Sequence, residues 1–130
     1  MIEQTEMIVA EWHFHEPSKP VENESQFTNL TSLDVQRKRN AIKKGIAFRF
    51  TCHFKFEHET ILEYIGEDTY VIDFEEVIDK NELLKMIRNS FSKFREKFDF
   101  RKMGTVLQNQ TIQPLNEAGI NLDAMIPLLI

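Results

Sequence analysis

The run from Ile46 to Glu57 alternates without a break. Its even positions are Ile46, Phe48, Phe50, Cys52, Phe54 and Phe56; its odd ones are Ala47, Arg49, Thr51, His53, Lys55 and Glu57. Successive side chains of a strand point to opposite faces, so this run has one apolar and one polar face. A helical period would scatter the same residues around the axis. The stretch therefore predicts a strand of a one-sided antiparallel sheet, packed on a core on one face and solvated on the other.

Weaker alternation flanks it. From Ile8 to Phe14 the even positions are Ile8, Ala10, Trp12 and Phe14, which predicts a half-buried strand ended by Pro17 and Pro20. The stretch from Phe27 to Arg37 reads as a second strand. Beyond the turn "EHET", "ILEYI" and "TYVIDF" read as one long strand, bent or bulged at Gly66. The basic run "RKRNAIKKG" reads as a solvated connection, because no aromatic residue interleaves with its charges.

After the strands the period changes. Asp79 is placed to cap a helix, with Glu82 completing a capping-box-like pair. Leu84, Ile87, Phe91, Phe94 and Phe98 follow at spacings of three and four, an apolar stripe. A helix running to Asn109, broken or bent near Gly104, would be about 40 Å long. That exceeds what a small sheet covers, so the stripe is expected to serve both the core and a subunit interface. Asn121 can cap a last helix of Leu122, Ala124, Met125 and Ile126, kept short by Pro127. The order predicts an α+β domain over residues 1–130, a four-stranded antiparallel sheet with a long helix and a short C-terminal helix on one face.

Composition narrows the function. A net charge of −5 argues against a dedicated nucleic-acid binder. One cysteine, Cys52, rules out an intrachain disulfide or a thiolate-rich zinc site, and on an apolar strand face its thiol is inert. The first residues carry acids rather than a signal-peptide pattern, and no run approaches the ~20 apolar residues that span a bilayer. A cytoplasmic location is expected. The spacing of His13 and His15 puts two imidazoles on one strand face, and His53 could join them if the first and third strands were neighbours. Solvated strand histidines are the commoner case, so neither a metal nor a cofactor is expected. No nucleophile elbow or acid–base pair stands out, and no catalytic residue is assigned. What remains is apolar surface: 11 phenylalanines and the C-terminal "AMIPLLI" exceed the needs of a small two-layer domain.

The C-terminal run "QTIQPLNEAGINLDAM" resembles the end of the SecB export chaperones. In "INLDAM" Asn121, Asp123 and Ala124 match that family's pattern, and Leu122 stands where the family has phenylalanine. "FHEPSKP" is similar to the end of its first strand, and "RFTCHFKFEHET" to its third strand and following turn. Gly119 replaces a usual proline, Phe27 stands near a usual tryptophan, and the Cys/His tail that binds zinc and the SecA motor is not found. The resemblance implies an ATP-independent holdase, a homotetramer built as a dimer of dimers, that keeps unfolded polypeptide in apolar grooves. Its implied partners are unfolded clients, with the SecA motor or an antitoxin as further ones, and neither nucleic acid nor membrane. It also implies that Phe27, Leu122, Met125 and Ile126 line the groove, and that Leu84, Ile87, Phe91, Phe94 and Phe98 form helix packing and part of the subunit interface. Two other readings stay open, a small protein or enzyme binding metal through its histidines and an interaction module with one fixed partner.

Overall fold

A computed structural model describes residues 2–4, 6–39 and 43–129. The chain folds in the α+β arrangement expected. Strands β1 (Ile2–Gln4), β2 (Ile8–Phe14), β3 (Phe27–Arg39), β4 (Lys44–Phe56) and β5 (Glu59–Ile72) precede helix α1 (Lys80–Arg101) and the short helix α2 (Leu122–Met125). All pairings are antiparallel. Strands β3, β4 and β5 form a meander, and β1 and β2 share the position beyond β5. The sheet is thus four strands wide, with its last position divided between two segments. The connection from β2 to β3 must cross from one edge to the other. The tip of the basic run, residues 40–42, lies outside the described residues.

The alternation of β4 holds from Phe48 to Phe56, while Ala47 on the other face is buried as well. Ile46, Phe48, Phe50, Cys52 and Phe54 are fully buried, while Arg49, Thr51, His53 and Lys55 face away. Helix α1 lies on that apolar face. Tyr64 of β5 stacks on Phe94 with ring centroids 4.1 Å apart, and its hydroxyl donates to the Phe94 carbonyl at 2.8 Å. Phe54 stacks on Phe98 at 5.0 Å, and Phe50 packs between Phe91 and Phe94. Burying one such ring stabilises the fold by about 1.5–3 kcal/mol. Gly66 makes the close approach possible: a Cβ there would lie 2.6 Å from the Cδ1 of Phe94.

Three sequence expectations need correction. The extended pattern of β2 is interrupted by a bulge between Val9 and Glu11, opposite Gly66 and Ile65. The extra residue reverses the faces, so Val9 packs on the core and Ile8 is exposed. Helix α1 ends at Arg101 rather than Asn109, about 33 Å long. Gly104, at φ 79°, belongs to the turns beyond it. The stripe begins one residue earlier than expected, at Leu83, and Leu84 is only half-buried. Asp79 does cap the helix, accepting from the Glu82 amide at 2.8 Å.

The C-terminal segment packs on the same face of the sheet. Asn121 caps α2 by accepting from the Ala124 amide at 3.1 Å. A 3-10 turn, Ile126–Leu129, continues from it, as Pro127 requires. Leu129 is buried in the core. Among the described residues no helix is long and apolar enough to cross a membrane.

Candidate functional site

Beside β3 the sheet leaves room. Among the described residues β3 pairs with β4 alone, so its outer edge has no strand partner. The C-terminal segment runs past that edge and is pinned by side chains instead. The Asn29 carboxamide donates to the Thr111 carbonyl at 3.1 Å and accepts from the Gln113 amide at 2.8 Å. It thus offers one donor and one acceptor, as a neighbouring strand would. Further back, the Lys102 ammonium donates to the Gln110 carbonyl at 2.7 Å, and Arg88 pairs with Glu117. Between β3 and this segment lies a groove of about 320 Å³. Leu30, Leu33, Leu115, Ile120 and Met125 supply its apolar walls, and Thr31, Ser32, Asn116 and Asn121 its polar ones. Among the described residues no charged one lines it.

The expected groove residues divide. Met125 lines this groove. Leu122 and Ile126 are half-buried and pack against the core. Phe27 is buried in the core, its ring 5.2 Å from that of Phe56, and is not among the residues that line this groove. Of the stripe, Ile87, Phe94 and Phe98 are fully buried in the core of the one chain, Phe91 keeps 7% of its surface exposed beside the C-terminal segment, and Leu84 is half-buried. The larger exposed apolar residues lie elsewhere: Leu30, Val77, Phe100, Met103 and Ile8.

Leu30, Leu33, Leu115 and Ile120 were not singled out from the sequence. Leu30 carried one signal. It is the apolar member of an otherwise polar face, Thr28, Ser32 and Asp34, and it is 77% exposed. A second omission lies in the core. Asp68 faces α1 from β5, fully buried, and accepts from the Ser90 hydroxyl at 2.6 Å and from Gln4.

The histidines do not gather. Strand β2 lies against β5, not β4, so Glu63 sits in register between His53 and His13. The His53 Nε2 and Glu63 carboxylate are 3.0 Å apart, and this contact is the main cause holding the Glu63 carboxyl below its ordinary range. His15 lies beyond the end of β2, with Nδ1 at 3.0 Å from the Glu16 carbonyl. Among the described residues no three His, Cys, Asp or Glu side chains come together to hold a metal. Burial pushes the Cys52 thiol up to about 11, away from the thiolate that chemistry needs.

Comparison with known proteins supports the fold. Neither a protein-family model nor a curated protein matches the chain. A solved structure does: the crystal structure of a protein of unknown function from Streptococcus agalactiae, with a TM-score of 0.54 and 9% identity. The match covers 89% of this chain and 97% of that one. At that identity the likeness concerns the arrangement of the backbone.

Proposed function

We propose that this chain is an ATP-independent holdase of the SecB type, a homotetramer that keeps unfolded or extended polypeptide soluble in the cytoplasm, in protein export or in toxin–antitoxin control. The observation that carries the reading is the uncharged groove at the open edge of β3. Apolar client side chains entering it gain about 25 cal/mol per Å² buried, whatever their order in the chain. The edge of β3 offers main-chain partners to an extended segment. Met125 suits such a site, since its unbranched side chain re-packs around different occupants. The "INLDAM" resemblance falls on the same wall: Asn121 caps the helix that carries Met125. A groove that holds the unfolded state shifts the client's folding equilibrium by mass action.

The test combines mass in solution with light scattering of an unfolded client, without nucleotide. We expect a mass near four chains and slower client aggregation, with protection lost in Met125→Asp while the circular dichroism spectrum is kept. A monomer that leaves aggregation unchanged would rule the function out.

A further inference from the structure

We infer that the outer flank of α1 is a contact between two copies of this chain, with Phe100 of each copy seated in a cavity on the other. This rests on the holdase reading in one respect: it names a surface through which the proposed tetramer is built.

That flank holds both halves of such a contact. Phe100, in the last turn of the helix, is 83% exposed. Beside it lies a cavity of about 490 Å³, larger than the groove at β3, lined by Glu6, Met7, Lys93, Glu96, Lys97 and Phe100. Its helical walls stand at positions 93, 96, 97 and 100, the spacing i, i+3, i+4 and i+7. Four residues so spaced form the hole that receives one side chain of a facing helix. The floor is apolar, because Met7, 4% exposed, closes it from the connection between β1 and β2. The occupant that fits is therefore a helix offering one bulky apolar side chain, and this chain carries such a helix next to the hole.

A two-fold contact sets one patch against itself, so knob and hole must both belong to that patch. Here they do. Two α1 helices turned antiparallel about an axis beside Glu96 and Lys97 bring each Phe100 to the height of Lys93 in the other copy. Lys93 and Lys97 can lay their methylene stems along the incoming ring and keep their ammonium groups in water. Glu96 comes opposite Lys97 of the other copy, and the axis repeats the pair.

Charge agrees with this occupant. The chain carries a net charge of −5, which opposes the approach of two copies over most of the surface. The rim of this cavity is the exception, with two acids, Glu6 and Glu96, and two bases, Lys93 and Lys97. Lys97 pairs with Glu6 of its own chain at 3.7 Å, and its three donors leave room for a second carboxylate. Among the described residues Lys93 and Glu96 have no ion pair within the chain. The contact also leaves the client site open. Arg88, Phe91 and Ser92 turn toward the C-terminal segment, on the other flank of α1.

Mass in solution, measured on variants of the whole chain, tests the contact. Phe100→Asp should halve the mass, from near four chains to near two, with the circular dichroism spectrum kept. Phe100→Leu should keep the larger mass, since a smaller apolar knob still enters the hole. Glu96→Cys, close to the axis, should give disulfide-linked pairs of chains under mild oxidation. Lys85→Cys, exposed on the same helix about three turns away, should not. Cys52 is fully buried and stays out of the reaction. A wild-type dimer that becomes a monomer in Phe100→Asp would support this contact and correct the tetramer. A mass unchanged by Phe100→Asp would overturn this inference and leave the holdase reading standing, as would equal cross-linking by the two cysteine variants. A monomeric wild type that still slows client aggregation would do the same. A monomer that leaves aggregation unchanged would overturn both.

Discussion

The face beneath α1 and the edge along β3 are built from the same kind of residue, yet only one is closed. Under the helix, the apolar positions of β4 and β5 meet the rings of α1 and reach zero exposure. Along β3 the corresponding positions, Leu33 and Val35, stay half-buried, and Leu30 on the other face is open. The cause is geometric. One helix about 33 Å long covers the middle of a four-strand-wide sheet and no more. The C-terminal segment covers the remainder through side-chain hydrogen bonds and scattered apolar contacts, which leaves a groove. Stability and the proposed binding thus fall in different places, and substitutions should tell the two regions apart.

The largest effect belongs to the closed region. Phe94 is fully buried between Tyr64 and Phe50, so Phe94→Ala should cost about 3–5 kcal/mol in urea-induced unfolding. A cost under 1 kcal/mol would mean that the core is not packed as described. Next comes Gly66→Ala. The added methyl meets Phe94 at 2.6 Å, and the strand must shift at about 1–3 kcal/mol. Combining it with Phe94→Leu should recover part of that cost, since the smaller side chain relieves the clash. Strictly additive costs would show that the two positions do not touch.

At the open edge the balance reverses. Leu30→Ser exchanges an exposed side chain and should alter stability by less than about 0.5 kcal/mol. It removes a groove wall, so protection of an unfolded client should fall severalfold. If stability fell and client protection did not, the division between the two regions would be wrong.

How much of this the sequence carried follows the same division. Strand β4 was legible because a central strand under a helix displays its period in full. The cap of α1 was legible because Asp79 acts on residues three positions away. The starting residue of the stripe was not: Leu83 and Leu84 both continue it at helical spacing, and contact with the sheet selects the first. The bulge in β2 was hidden because one extra residue reverses a face without changing composition. The groove was least legible. It joins residues 30–33 to residues 115–125, and nothing local to either stretch records the other. Only Met125 was reached, through the "INLDAM" resemblance. That motif marks a cap and a helix, and it cannot say which helix residues turn inward.

The smallest expected effect concerns the connection that carries the chain from β2 across to β3. Glu59 anchors it by accepting from the Ser18 hydroxyl and from the Ser18 amide at 2.8 Å. These bonds, the hydroxyl's first, hold the Glu59 carboxyl below its ordinary value of 4.5. A carboxyl lowered in the folded state contributes stability above its unfolded pKa and loses it as pH falls through the folded one. His15 has the opposite sign. Its pKa is raised from 6.5, chiefly by the Glu16 carbonyl, so its contribution is present below 6.5 and lost as pH rises through the higher folded value. The anchor should therefore hold best between the two. Melting temperature against pH should have a shallower acid limb in Glu59→Gln and a shallower neutral limb in His15→Gln. Leu30→Ser should leave both limbs as they are, because the groove wall carries no proton. An unchanged acid limb in Glu59→Gln would show that the Ser18–Glu59 bonds do not hold the crossing connection, and would leave that role to its prolines, its packing and the Lys19–Glu57 and Gln26–Glu57 contacts.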